Sequence, residues 1–262
     1  MPIEDNDRDT VEDQSPADLP RGPSREARRF LRYMKHTLGD IEMFLPVVLR
    51  ATPTGTSRRL TDETQVVIEG FPRSGNTFAS RAMEHAADGP IVISSHVHVP
   101  AGVMRAVHLH YPTLVLIRRP VDSICSEKIA APHASLPSVV RDWTSYYRKV
   151  WPYRDDFVVA TFDQVTTDFG AVTARLNERF GTSFAHFEHS DENNELVFDA
   201  IDRKHLAVHG NTEHFVPRPS PARHAAKDQL LERLQSPELQ GPLEEAAEVY
   251  RDFAKLAGAP ED

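Results

Sequence analysis

Short apolar runs rich in β-branched residues alternate with amphipathic segments through the middle of the chain. Gln65 to Gly70, Ile91 to Ser95, Thr113 to Arg118 and Phe157 to Phe162 read as strands, the third with an unbroken apolar centre. Between them, 76–87, 100–109 and 121–131 read as helices. Leu136, Val139, Val140, Trp143, Tyr147 and Val150 recur at helical spacing and mark one face of a further helix. A helix over 171–180 stops at Gly181, a residue suited to the left-handed cap. Strands apolar along their whole length are buried on both faces, and alternation with helices makes them parallel. The pattern therefore predicts an α/β fold: three layers, α/β/α, around a central, mostly parallel sheet.

The ends read differently. Residues 1–24 are acidic and Pro-rich with few aromatics, the composition of a disordered lead-in. From Arg25 to Leu49 the positions Phe30, Met34, Leu38, Ile41, Leu45 and Val48 recur at three and four, predicting an amphipathic helix broken near Pro46. Its basic start (Arg25, Arg28, Arg29, Arg32) reads as a solvated face rather than a membrane surface. Helical patterns return at about 194–205, 222–234 and 243–256, with a Pro-rich loop from Phe215 to Pro221 between the first two. The organisation expected is a disordered segment over 1–24 and a single domain over 25–262. Within it, the sheet core spans about 65–185 and a helical lid or acceptor region about 190–262.

Composition narrows the classes. A chain of 262 residues with 40% hydrophobic residues can bury a substantial core. A net charge of −9 argues against a nucleic-acid partner, whose affinity needs a basic surface, but not against a small anion held by local arginines. The single Cys125 leaves no intramolecular disulfide framework. No run is apolar for long enough to span a membrane, and the acidic start does not resemble a signal peptide. Together these predict a soluble, cytoplasmic protein.

The candidate chemistry begins at Gly70-Phe71-Pro72-Arg73-Ser74-Gly75-Asn76-Thr77-Phe78, placed between a strand and a helix. Such a turn points backbone N–H groups at one spot, and the helix N-terminus adds partial positive charge. Gly70 and Gly75 have the spacing of a Walker A loop, and Thr77 holds its hydroxyl position, but Asn76 replaces its lysine. The cation sits instead at Arg73, inside the loop. A second element ends the third strand. Arg118 there is costly unless paired, and its guanidinium can grip a phosphate with two parallel bonds. Pro120 and Asp122 suit the first turn of the following helix, and Ser126 lies one turn past Asp122.

The run 71–78 resembles the 5'-phosphosulfate loop of sulfotransferases that use 3'-phosphoadenosine-5'-phosphosulfate (PAPS), P-[KR]-[ST]-G-[TN]-[TS]-[WFL]. Leu116 to Ser126 resembles the same family's 3'-phosphate segment, R-[ND]-P-x-D-x-x-x-S, with Arg119 where Asn or Asp is usual. Phe162-Asp163-Gln164-Val165 resembles its YEDL-like segment, and Trp143 has a similar helical context. The resemblance covers about residues 65–185 and implies a P-loop NTPase-like fold.

It also implies roles. The backbone of Ser74, Gly75, Asn76 and Thr77, with the Thr77 hydroxyl, would hold the phosphosulfate. Arg73 would neutralise charge on the leaving oxygen, and Phe78 would stack on adenine. Arg118 and Ser126 would take the 3'-phosphate, and the acceptor would be a hydroxyl of a small molecule or glycan. Ser95-His96-Val97-His98-Val99-Pro100 resembles the T-H-x-P segment bearing the family's catalytic histidine, with Ser94 where a lysine is frequent. His96 is the first candidate for the base. His98 is the second, since side chains two apart share a face of an extended segment.

Other signals are weaker. Of His205, His209, His214 and His224, only the first two have a metal-site spacing, i and i+4, and they lack the glutamate of an HExxH motif, so no metal is expected. Arg218, Arg223 and Lys227 are candidates to complete the 3'-phosphate site from a lid, and Cys125 reads as a small buried residue. The competing readings are a P-loop kinase or NTPase, which would need Mg²⁺ and normally the missing lysine, and a nucleotide-binding protein without catalysis.

Overall fold

In the computed structural model, residues 34, 38–46, 59–209 and 221–259 are described. The lead-in over 1–24 and Phe215 to Ser220 of the Pro-rich loop lie outside them. Four strands, β1 (Val66–Gly70), β2 (Ile93–Ser95), β3 (Thr113–Ile117) and β4 (Val158–Thr161), form one parallel sheet in the order β2-β1-β3-β4. Helices α1 (Asn76–Ala86), α2 (Pro100–His108) and α3 (Pro120–Ala130) follow the first three strands, and α4 (Leu136–Val150) precedes the fourth. After it come the short α5 (Phe162–Thr167), α6 (Phe169–Phe180), α7 (Asp191–His209), α8 (Pro221–Leu234) and α9 (Pro237–Leu256).

Alternation along the strands separates two cores. Val66, Ile68, Leu114, Leu116, Val158 and Ala160 face α1, α6 and α7, meeting Phe78, Met83, Phe169, Leu176, Val197 and Ile201. Val115, Ile117 and Val159 face the opposite layer, where α4 contributes the fully buried Trp143 and Tyr147 and α9 contributes Phe253. The layers are α/β/α as the pattern predicts. The C-terminal helices belong to both layers, α7 on one face and α8 and α9 on the other.

Boundaries shift where a local signal misleads. Thr161 ends the fourth strand because its side chain caps α5 at Gln164 N–H, while the Gln164 side chain caps back. The last helix begins at Pro237 and runs through Pro242, ahead of the start expected at about 243. Where the N-terminal segment is described, a turn at Gly39 and Asp40 breaks it after Leu38 and a 3-10 turn follows at Glu42–Phe44, whereas Pro46 is helical. The break has a cause in packing. Gly39 C=O accepts the Ala101 N–H at 2.9 Å, and Leu45 packs on Val97, Val99 and Ala101. This docks the segment beside the loop between β2 and α2. Among the described residues no helix is long and apolar enough to cross a membrane.

Candidate active site

The strand order reverses direction between β1 and β3, so the chain leaves these neighbours toward opposite sides. Ligands of open α/β sheets bind at the carboxyl ends of the strands at such a point. All four carboxyl ends carry candidate residues: the 70–78 loop after β1, His96 after β2, Arg118 after β3 and Phe162 after β4.

The loop after β1 is held from below. Gly70 runs so close to β3 that a Cβ would lie 2.4 Å from the Leu116 carbonyl oxygen, which only glycine permits. The buried Tyr147 hydroxyl donates to that carbonyl at 2.8 Å and accepts the Phe71 N–H at 3.3 Å. With its only proton so used, it accepts from the Ser74 hydroxyl at 3.1 Å. Burial pushes the Tyr147 phenol well above its ordinary pKa, so it stays neutral and keeps that proton. Asn76, 4% exposed, turns its amide back to the Phe71 carbonyl at 3.4 Å. The side chains of Ser74 and Asn76 thus brace the loop rather than face outward.

Left-handed φ angles of 71° at Arg73 and 100° at Gly75 turn the loop, and no side chain caps the N-terminus of α1. Backbone of this kind gathers N–H groups into an anion-binding concavity. Removing the Tyr147 hydroxyl tests the brace. Tyr147→Phe is expected to lower stability by about 1–3 kcal/mol, because Phe71 N–H and the Ser74 hydroxyl lose a buried partner. The check is the urea unfolding midpoint, and an unchanged midpoint would show that the three bonds contribute nothing.

The second motif reaches the same place. Arg73 Nε donates to Ser126 Oγ at 3.0 Å, across 53 residues of sequence. Arg118 Nη1 donates to the Arg73 carbonyl at 3.3 Å, and its guanidinium lies 4.0 Å over the Phe162 ring. Ser123, a turn before Ser126, donates its hydroxyl to the Pro72 carbonyl at 3.1 Å. Beside these, a cleft of about 290 Å³ is lined by Arg118, Arg119, Asp122, Phe162, Asp163 and Tyr250. Lys227 from α8 pairs with Asp122 at 2.7 Å at this edge. Arg218 lies outside the described residues, and so do the side chains of Arg223, His205, His209 and His224, and all of His214.

On the β2 side, His96 is held between two hydroxyls. Its Nε2 is 3.0 Å from Thr77 Oγ1 and its Nδ1 is 2.7 Å from Ser95 Oγ. In the tautomer that donates Nδ1–H to Ser95, Nε2 presents its lone pair on the Thr77 side. His98 does not share a face with His96 by extension, because the backbone is left-handed at both, with φ 66° and 55°. The rings still approach, with centroids 5.5 Å apart. His98 Nδ1 lies 2.8 Å from the Gly70 carbonyl, which can only accept, so that nitrogen carries the proton.

Phe78 is 6% exposed and packed by Phe187, His189 and Phe198, a core position. An aromatic face beside Arg118 belongs to Phe162, a placement that nothing in its segment's spacing signals. Glu69 and Tyr147 were likewise illegible as site residues, each sitting in an otherwise apolar pattern. Cys125 is buried, and burial pushes its thiol up to about 11, so it stays protonated.

No protein-family model matches this chain. No curated protein matches it either. Among solved structures, the mouse sulfotransferase SULT7A1 complexed with PAP aligns over 72% of this chain and 90% of its own length. The identity is 12% and the TM-score 0.38, a slight likeness in outline that carries no argument about the site.

Proposed function

We propose that the chain is a sulfotransferase that moves a sulfuryl group from PAPS to a hydroxyl of a small molecule or glycan, releasing 3',5'-ADP. The observation that carries this reading is the meeting of Arg73, Ser126 and Arg118 at one end of a lysine-free phosphate loop, with His96 on Thr77 at the other. A nucleotide with phosphate at both ends of its ribose needs two anion grips, and a transfer to a hydroxyl needs a base beside one of them.

The residues fit such a donor. The uncapped start of α1, the Thr77 hydroxyl and Arg73 would hold the phosphosulfate, and Arg118 with Ser126 the 3'-phosphate. Phe162 offers an aromatic surface against Arg118, while Phe78 supports the core. His96 would take the acceptor proton as the acceptor oxygen bonds to sulfur and the bridging oxygen leaves with its electron pair. Arg73 stays protonated and stabilises that oxygen by charge rather than by giving up a proton. The donor's own charge needs no metal in this reading, and the lone buried Cys125 is in keeping with a reducing, cytoplasmic setting.

Thermal shift tests it. At about a hundredfold excess over its dissociation constant, 3',5'-ADP should stabilise by about 2.7 kcal/mol, raising Tm by roughly 5–10 °C without metal. A response to Mg-ATP alone would overturn the reading. Release of 3',5'-ADP from PAPS with alcohols, phenols and sugars as acceptors then tests turnover. Binding without turnover for every acceptor would instead support a nucleotide-binding protein without catalysis.

A further inference from the structure

Among the described strands only β1 contains a charged residue, Glu69. It is 1% exposed, opposite Val115 of β3, in a sheet that is otherwise apolar or hydroxylic. A carboxylate is expensive there unless it is hydrogen-bonded. Its partners are specific: Oε1 accepts the Val97 N–H at 2.8 Å and Oε2 accepts the His98 N–H at 3.1 Å.

These two amides belong to the short segment that carries both candidate histidines. His96 and His98 each hold a left-handed φ, 66° and 55°, a conformation uncommon outside glycine and costly to hold at two positions so close together. Glycine would be the easy residue at either position, but glycine has no imidazole. A carboxylate that binds both amides between the two left-handed residues, Val97 N–H and His98 N–H, is a direct means of imposing the double turn. The His98 ring closes the arrangement, with Nδ1 on the Gly70 carbonyl and 3.9 Å from Glu69 Oε2. Tyr146 faces Glu69 from α4, and burial, with the carboxylate's charge second, holds its phenol neutral.

We propose that Glu69 is a positioning residue: its carboxylate fixes the left-handed turns at 96–98 and so sets the ring of His96 against Thr77. The proposal rests on His96 being the base of the transfer. Its chemistry is acceptor-specific, since two N–H groups need two acceptors. Glutamine has the same shape but offers one oxygen, and its amide would face an N–H with an N–H.

The test is Glu69→Gln in the full chain. The expected result is a fall in kcat for PAPS turnover of about tenfold or more, since small misplacements of a reacting group cost rate steeply. The dissociation constant for 3',5'-ADP should stay within about threefold, because the nucleotide grips lie on the loops that follow β1 and β3, whereas the Glu69 carboxylate bonds the 97 and 98 amides. In imidazole ¹⁵N spectra, His98 should lose its single Nδ1-protonated form. Wild-type kcat together with an unchanged His98 tautomer would overturn the proposal. Where the variant does not fold, the wild-type protein supplies the measurement. Scalar couplings across the hydrogen bonds from the Val97 and His98 amide nitrogens to the Glu69 carboxyl carbon are expected, and their absence overturns it. These spectra need no sulfuryl transfer, so failure of the sulfotransferase reading and failure of the positioning role are read separately.

Discussion

His96→Ala is expected to lower kcat for sulfuryl transfer by about 10²–10⁴-fold while leaving 3',5'-ADP affinity within about threefold. The argument is positional. His96 Nε2 already sits 3.0 Å from the Thr77 hydroxyl at the start of α1, so a hydroxyl bound beside the phosphate loop would lie within reach of the same nitrogen. Ser95 at 2.7 Å on Nδ1 holds the ring in place from behind. His98 is a poorer candidate on the same grounds, because its Nδ1 is committed to Gly70 and its ring leans toward Glu69. Parallel measurement of His98→Ala separates them. A loss confined to His96→Ala supports the assignment; turnover unchanged in that variant rejects His96 as the base. Calorimetry with 3',5'-ADP shows whether either loss comes through nucleotide binding instead.

The layers of the fold were legible because apolar strands and periodic helices are local signals that tertiary packing reinforces. Leu114 to Ile117 could only be an interior strand, and Trp143 and Tyr147 could only point inward from their helix. The phosphate loop was legible for a different reason. Glycine spacing and a displaced cation are requirements of backbone geometry and charge, and both are written in residue types. What sequence could not give is which side of the backbone each loop residue would take. Ser74 and Asn76 read as ligand contacts through their backbone N–H groups, a reading silent on their side chains, which turn inward to Tyr147 and Phe71. The reason is a partner 73 residues away, whose hydroxyl nothing in the helix pattern distinguishes from a phenylalanine's edge. His96 and His98 were paired by a rule for extended chains, and they meet instead through two left-handed turns held by Glu69. Phe78 follows the motif in sequence but joins the core, because α1 turns that position toward Phe187 and Phe198.

Arg118→Ala should weaken binding of 3',5'-ADP by roughly 30-fold or more, about 2 kcal/mol or above, and weaken 5'-AMP far less. The contrast between the two ligands matters more than either loss. Arg118 has two jobs in the structure, since it donates to the Arg73 carbonyl and also lays its guanidinium over Phe162 at the cleft. Losing the first loosens the loop after β1 and would weaken any ligand that uses that loop. Losing a grip on the 3'-phosphate weakens only a ligand that has one. Calorimetric titration of both nucleotides into wild type and variant gives the ratio directly. Arg118→Lys refines the outcome, because lysine keeps the charge but neither the planar fork nor the stack on Phe162. A lysine variant that remains selective would assign the preference to charge alone, and one that loses it would assign it to the fork. Equal losses for 3',5'-ADP and 5'-AMP in the alanine variant would reduce Arg118 to a brace for the loop. The second anion grip, which separates a PAPS site from an ordinary phosphate loop, would then have no residue to make it.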